Sequence, residues 1–224
     1  MDWTAFAVSL RLAAWTSLLL LPIAILLARW LAWSRFHGRA LVEALAMVPL
    51  LLPPTVLGYY LLVTLAPTSP IGSALAALWG RPLVFSFAGI LLASVIANVP
   101  FALQPMQRAF EAVPENVREA AWVSGLSAWQ TFLRIELPLA WPGIVSALAL
   151  VFAHTLGEFG VILMVGGNIP AETQTLSIAV YDRVQAFKTA EAGTMAAVLL
   201  ALSLLALAIV LATARRPVRG TERP

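Results

Sequence analysis

Glu115-Asn116-Val117-Arg118-Glu119-Ala120-Ala121-Trp122-Val123-Ser124-Gly125-Leu126-Ser127-Ala128-Trp129-Gln130-Thr131-Phe132-Leu133-Arg134-Ile135-Glu136-Leu137-Pro138 is a charged, helix-patterned interval in a mostly apolar chain. Pro114, just before it, suits a first helical turn, where its missing N–H costs nothing. Glu115 then sits at the positive end of the helix dipole. Gly125 suits a left-handed stop. Ser127 with Gln130 forms the Ser-x-x-Gln capping box of a second helix, which Pro138 is expected to end. The spacing predicts helix, glycine turn, helix. Val117, Ala120, Ala121 and Ser124 share one face of the first helix, and small residues there let another surface come close. Trp129, Phe132 and Leu133 share a face of the second that suits a membrane surface. By itself the pattern also fits a solvated amphipathic linker.

Working outward, long charge-free stretches flank this interval: 12–28, 44–80, 82–107, 137–157 and 192–214. About 20 apolar residues cross a hydrocarbon core roughly 30 Å thick. The first stretch lengthens if Arg29 snorkels. Pro67-Thr68-Ser69-Pro70-Ile71-Gly72 predicts a loop outside the bilayer over 66–82. The expected organisation is one all-α transmembrane domain over 1–224, with five spans at about 10–32, 42–65, 84–106, 140–164 and 193–214, and the polar interval 108–138 as an intervening loop. Composition agrees: of 224 residues, 61% are hydrophobic and only 11% charged, too few to cover a water-exposed globule. This excludes an ordinary soluble enzyme, a disordered chain and a nucleic-acid binder. With two histidines and no cysteine, metal or thiolate chemistry has little to work with.

Cations set the orientation. Arg29, Arg35, Arg39, Arg108, Arg118, Arg134, Arg215, Arg216, Arg219 and Arg223 fall on one side of the five-span arrangement, and Arg11, Arg81, Arg183 and Lys188 on the other. The positive-inside rule then places the N-terminus outside, the C-terminus in the cytoplasm and loop 108–138 on the cytoplasmic face. The start Met1-Asp2-Trp3 lacks the basic segment of a cleaved leader, so the first span is expected to be retained.

Glu119-Ala120-Ala121, three residues, Gly125, nine residues, then Ile135-x-Leu137-Pro138 resembles the EAA loop of ABC importer permeases. The resemblance implies a type I ABC importer permease fold, with the first short helix as a coupling helix docking in a cleft of an ATP-hydrolysing subunit. The residues implied in coupling are Glu115, Arg118, Glu119, Ala120, Ala121 and Gly125. Leu52-Pro53-Pro54-Thr55-Val56-Leu57-Gly58-Tyr59, Leu156-Gly157-Glu158-Phe159-Gly160 and Gly167-Asn168-Ile169-Pro170-Ala171-Glu172-Thr173-Gln174-Thr175-Leu176 are similar to the molybdate permeases of that group. Sulfate permeases are close relatives, so sulfate, thiosulfate and tungstate stay as alternative cargoes. The family often carries arginine where this chain has His154; a histidine there would attract or gate an anion only in part, or with a pH dependence.

Physically, Pro53-Pro54 breaks a helix and places Thr55 either at a half-helix N-terminus that offers N–H groups to an anion or at a packing kink. His154 and Glu158 share a face by i, i+4 spacing, so a structural pair or a gate-shaping contact beside Gly157 and Gly160 is expected. Thr55, His154, Gly157 and Glu158 are the candidate path or gate residues. Asn98, Gln104 and Gln107 suit interhelical hydrogen bonds or a water path. Five spans make a thin wall for a doubly charged anion, so a homodimer is expected. The sequence Gly-x4-Gly-Lys-[Ser/Thr] is absent. The chain is therefore expected to be no enzyme and to bind no cofactor, with ATP-Mg on two separate nucleotide-binding subunits and a periplasmic oxyanion-binding protein delivering cargo to the inner membrane. An ion-coupled secondary transporter is the rival reading; it needs mid-membrane carboxylates, and only Glu158 approaches that.

Overall fold

A computed structural model describes residues 1–214, all of whose regular elements are helical. Arg215, Arg216, Arg219 and Arg223, on which part of the orientation rests, lie outside the described residues. Helix α1 spans Trp3–Trp33. It starts well before residue 10 because the Asp2 carboxylate accepts from the Ala5 N–H at 3.0 Å. At 31 residues it outruns the hydrocarbon core, and Arg11 settles over the Phe87 ring at 4.2 Å.

The second span is broken. Helix α2 (Arg39–Leu51) and helix α3 (Pro54–Leu65) meet at 109°. Pro53 and Pro54 supply no backbone donors, so neither can continue the ladder from α2. The expected loop over 66–82 is corrected by a ten-residue helix, α4 (Pro70–Trp79). The Ser69 hydroxyl accepts from the Gly72 N–H at 2.8 Å, and Gly80 closes the helix at φ +75°. The Ser-Pro pair that reads as a turn is a helix start, with proline in the first turn.

Helix α5 (Phe87–Glu111) leads to the short α6 (Glu115–Val123). Helix α7 (Ala128–Thr131) runs through a π turn, Phe132–Glu136, into α8 (Leu137–Gly157). Pro138 therefore does not end the second helix of the loop: residues 128–157 form one 30-residue rod. The wider turn gives the proline ring room against the preceding carbonyls, and Pro138 sits in the first turn of α8. The fourth span also breaks, after Gly157, and resumes as α9 (Gly160–Gly166). The outer loop carries α10 (Leu176–Gln185), and α11 (Thr189–Ala214) follows.

Four unbroken helices, and a fifth if α2–α3 counts as one, are long and apolar enough to cross a membrane. The main core lies where α1, α5 and α8 pack, through Leu20, Ala24, Ala28 and Leu31, Leu103, Met106 and Phe110, and Ile144, Ala147 and Val151. In lipid such contacts are driven by close packing rather than water exclusion. Gly143 shows how close: a Cβ there would lie 2.3 Å from that of Ala109 on α5. The broken halves α3 and α9 pack on each other at the edge of this core.

Candidate functional site

Two places in the fold gather the candidate residues: the α6 loop and a cleft where the two broken spans meet.

In the loop, Pro114 precedes α6, Glu115 occupies its first turn and Gly125 follows it at φ +83°. The Leu126 N–H reaches back to the Ala121 carbonyl at 3.1 Å, satisfying the last turn. The capping box forms in both directions, Ser127 N–H to Gln130 Oε1 at 2.9 Å and Gln130 N–H to Ser127 Oγ at 3.3 Å. The small-residue face divides. Ala121 is buried against the chain, while Val117, Ala120 and Ser124 are exposed beside Glu119, and Val123 is 89% exposed. Phe132 turns into the core, but Trp129 stays exposed.

Arg118 points inward. Its Nε donates to Glu136 Oε1 at 2.9 Å, and its guanidinium lies 3.7 Å from the Trp33 ring centroid and 5.1 Å from that of Trp122. The half-buried Arg29 turns its head group to the same carboxylate. Its Nε donates to Glu136 Oε2 and its Nη2 to Oε1. Glu136, wholly buried, thus holds two arginines. Sequence reasoning missed this site because Arg29 lies 107 residues from Glu136 along the chain. The available signal was a lone acidic residue directly before a long apolar rod.

In the cleft, Thr55, His154, Gly157 and Glu158 come together. With Pro54 and Gly160 they line a cavity of about 470 Å3. A second cavity of about 160 Å3, bordered by Leu57, Ala97 and Phe101, shares Pro54, His154 and Glu158 with it. Thr55 heads α3 behind a proline, so its N–H is among the groups a helix start leaves free. The two half-helices close on glycines: a Cβ on Gly160 would lie 2.9 Å from Pro54 Cβ, and one on Gly58 2.7 Å from Met164 Cβ. Gly157 meets open space.

Glu158 is buried and caps α9: its Oε1 accepts from the Val161 N–H at 3.3 Å. Its Oε2 lies 3.7 Å from His154 Nε2. His154 stacks on Phe101 at 4.0 Å between centroids, and its Nδ1 is 3.2 Å from Asn98 Oδ1. Asn98 Nδ2 donates to the Ser94 carbonyl at 2.8 Å, and Thr16 bonds the Ser94 hydroxyl at 3.0 Å. Asn98 therefore makes the interhelical bond expected of it, within a polar thread from α1 through α5 to α8. Phe101, Ser94 and Thr16 carried no sequence signal distinguishing them from packing residues. The cleft's carboxylate is committed to a helix start, and His154 is the one basic side chain lining either cavity among the described residues.

Gln104 and Gln107 face elsewhere. With Arg39, Glu43, Arg108 and Glu111 they line a third cavity of about 610 Å3. Arg39 bonds Glu43 and Glu111 at 2.8 and 2.9 Å, and Gln107 bonds the same two carboxylates at 2.8 and 3.0 Å. Each acid is matched by a donor, so this pocket is a tie between α2 and α5. Among the described residues no group of three His, Cys, Asp or Glu side chains is placed to hold a metal ion.

Residues 21–217 match the family model described as binding-protein-dependent transport system inner membrane component. The chain belongs to this family. It is 44% identical over 206 residues to the molybdenum transport system permease protein ModB of Azotobacter vinelandii, covering 92% of this chain and 91% of that one. To ModB of Haemophilus influenzae it is 37% identical over 83% of this chain and 81% of that one. The sulfate transport system permease protein CysT of Escherichia coli is 34% identical over 81% of this chain and 66% of its own length. The fold matches a crystal structure of a bacterial ABC transporter involved in the import of the acidic polysaccharide alginate, with TM-score 0.73, 20% identity, and coverage of 94% of this chain and 77% of that one. As a member of this permease family, the chain is a multi-pass membrane component with a type I ABC importer permease fold.

Proposed function

We propose that this chain is the transmembrane subunit through which an ABC importer moves molybdate, or a closely related tetrahedral oxyanion, into the cytoplasm by alternating access. The observation that carries the reading is the similarity to molybdenum permeases along almost the whole chain. The exposed face of α6 supports it: Val117, Glu119, Ala120 and Val123 present a surface that no other described residue covers. On this reading α6 seats in a nucleotide-binding subunit that holds ATP-Mg, and the permease itself catalyses nothing. Two copies, related by a two-fold axis, enclose the path, with one nucleotide-binding subunit under each. A periplasmic binding protein delivers the anion at the outer face. The N-terminus lies outside and the C-terminus in the cytoplasm of a bacterial inner membrane, with the 1–224 chain forming one permease domain.

The cleft gives the path its chemistry. A dianion cannot cross hydrocarbon, but a passage beside Thr55 and His154 offers an unpaired N–H, a hydroxyl and an imidazole at a break in two spans. ATP closes the nucleotide-binding subunits, α6 is carried with them, and the breaks at Pro53 and Glu158 shift between inward and outward openings.

The test is co-purification with the nucleotide-binding subunit, followed by ATPase measurement with the binding protein loaded in turn with molybdate, tungstate and sulfate. Molybdate is expected to stimulate hydrolysis, with tungstate comparable. Stimulation by sulfate alone moves the assignment to the sulfate permeases. Failure to retain any nucleotide-binding subunit, with no stimulation by the three anions, refutes the proposal.

A further inference from the structure

We propose that Glu136 is the positioning residue that locks the coupling helix α6 to the transmembrane bundle, so that movement of α6 is delivered to α8 instead of being absorbed in the loop. This inference rests on the proposed function, in which α6 docks on a motor subunit.

The backbone alone is a poor transmitter here. Between α6 and α7 the chain runs through Ser124, Gly125 at φ +83°, Leu126 and Ser127. Only Arg118 and Ala121 of α6 are buried against the rest of the chain. What fixes the helix is the carboxylate. Glu136 Oε1 takes Arg118 Nε from α6, and both carboxylate oxygens take the Arg29 guanidinium from the end of α1. Trp33 of α1 lies against the Arg118 guanidinium at 3.7 Å. The π turn carrying Glu136 feeds directly into α8. One side chain thus joins α1, α6 and α8.

Stability alone does not call for such a set. Desolvating a carboxylate and two guanidiniums is costly, and well-packed apolar side chains of similar volume often serve a fold equally well. What charged, forked hydrogen bonds add is direction: a guanidinium fixes the angle as well as the distance of its partner. A linkage that must turn as one body needs that property, and a packing contact does not supply it.

The experiment uses the assembled importer in liposomes with molybdate-loaded binding protein, and reads ATP hydrolysed per molybdate imported. Glu136→Gln keeps the shape and removes the charge. Its assembled complex is expected to hydrolyse at least about tenfold more ATP per molybdate, the scale of a lost charged hydrogen bond. Arg118→Lys keeps the charge but loses the Nε donor and the planar guanidinium that stacks on Trp33, and should raise the ratio by a smaller factor. A purely structural role would lower the yield of complex and reduce hydrolysis and uptake together, leaving the ratio at the wild-type value; that result overturns the inference. If Glu136→Gln does not assemble, Arg118→Lys decides, and a wild-type ratio there overturns it as well. Failure of the wild-type chain to retain the motor subunit sinks the proposed function, and this inference with it. Normal wild-type coupling with normal variant ratios sinks the linkage alone.

Discussion

Replacing Gly160 with alanine, set against the same change at Gly157, tests whether the cleft is built as described. A methyl group on Gly160 would lie 2.9 Å from Pro54 Cβ, 3.2 Å from the Thr55 nitrogen and 3.3 Å from the Pro54 carbonyl carbon. None of these is the free end of a flexible side chain. One turn along α3, Gly58 meets Met164 Cβ and Val161 Cα just as tightly, at 2.7 and 3.0 Å, so the pair has little room to slide. Forcing one carbon into such a contact costs about 1–3 kcal/mol. At Gly157, with nothing within 4 Å, the same methyl should change stability by no more than about 0.5 kcal/mol. For a chain of this size each kcal/mol moves the melting temperature by roughly 2–4 °C. Thermal unfolding of the purified complex in detergent should therefore show Gly160→Ala several degrees below wild type and Gly157→Ala beside it. Uptake should fall in Gly160→Ala because the two half-helices no longer meet at Thr55. Equal melting temperatures for the two variants, or a loss confined to Gly157→Ala, would refute the close contact of α3 with α9 and the cleft that depends on it.

Glu119→Lys reverses a charge on the exposed face of α6; the chain should insert and melt as wild type, within about 0.5 kcal/mol, while binding-protein stimulation of ATPase is lost. Ser127→Ala removes the hydroxyl that caps α7 and should cost about 1 kcal/mol locally, seen as roughly fivefold faster amide hydrogen exchange over 128–131. Asn98→Leu breaks the α5–α8 bond to His154; membrane hydrogen bonds of this kind average about 0.6 kcal/mol, so the melting temperature should drop by no more than a few degrees, and a drop beyond about 10 °C would mean the thread through Ser94 and Thr16 acts as a unit.

The sequence makes the spans legible because charge is so rare in this chain that its gaps mark the membrane. It also marks where the spans break: Pro53-Pro54 and the Gly157-Glu158-Phe159-Gly160 stretch both announce a stop. It cannot announce the angle, since 109° between α2 and α3 is set by α3 packing on α9, a partner about a hundred residues away. Ser69-Pro70 misleads for a local reason: a serine before a proline begins a turn and a helix equally well, and the choice depends on the Gly72 N–H reaching the Ser69 hydroxyl. Pro138 misleads because the π turn that accommodates it has no residue signature. At the candidate sites, His154 with Glu158 is readable from i, i+4 spacing, whereas Asn98 with His154 and Arg29 with Glu136 are created only by tertiary packing.

The two sites are not independent, because they occupy opposite ends of one rod. Glu136 immediately precedes α8 and His154 lies in its last turn, 18 residues on, which is ~27 Å of continuous helix. Pro142 lies inside that rod but is no hinge: the next residue, Gly143, is pressed against Ala109 of α5, and the Ser146 hydroxyl donates to the Pro142 carbonyl at 2.9 Å. A kink there would need α5 to move aside. A turn imposed at Glu136 therefore arrives at His154 with its direction kept. At the far end the rod stops at Gly157, where there is open space on one side and a capped, separately packed half-helix on the other. That is where a rotation can be converted into opening or closing, since α9 is held to α3 by its glycine contacts and need not follow α8. On the proposed docking of α6, the division of the fourth span has a mechanical consequence: the half tied to α6 can turn while the half that borders Thr55 stays.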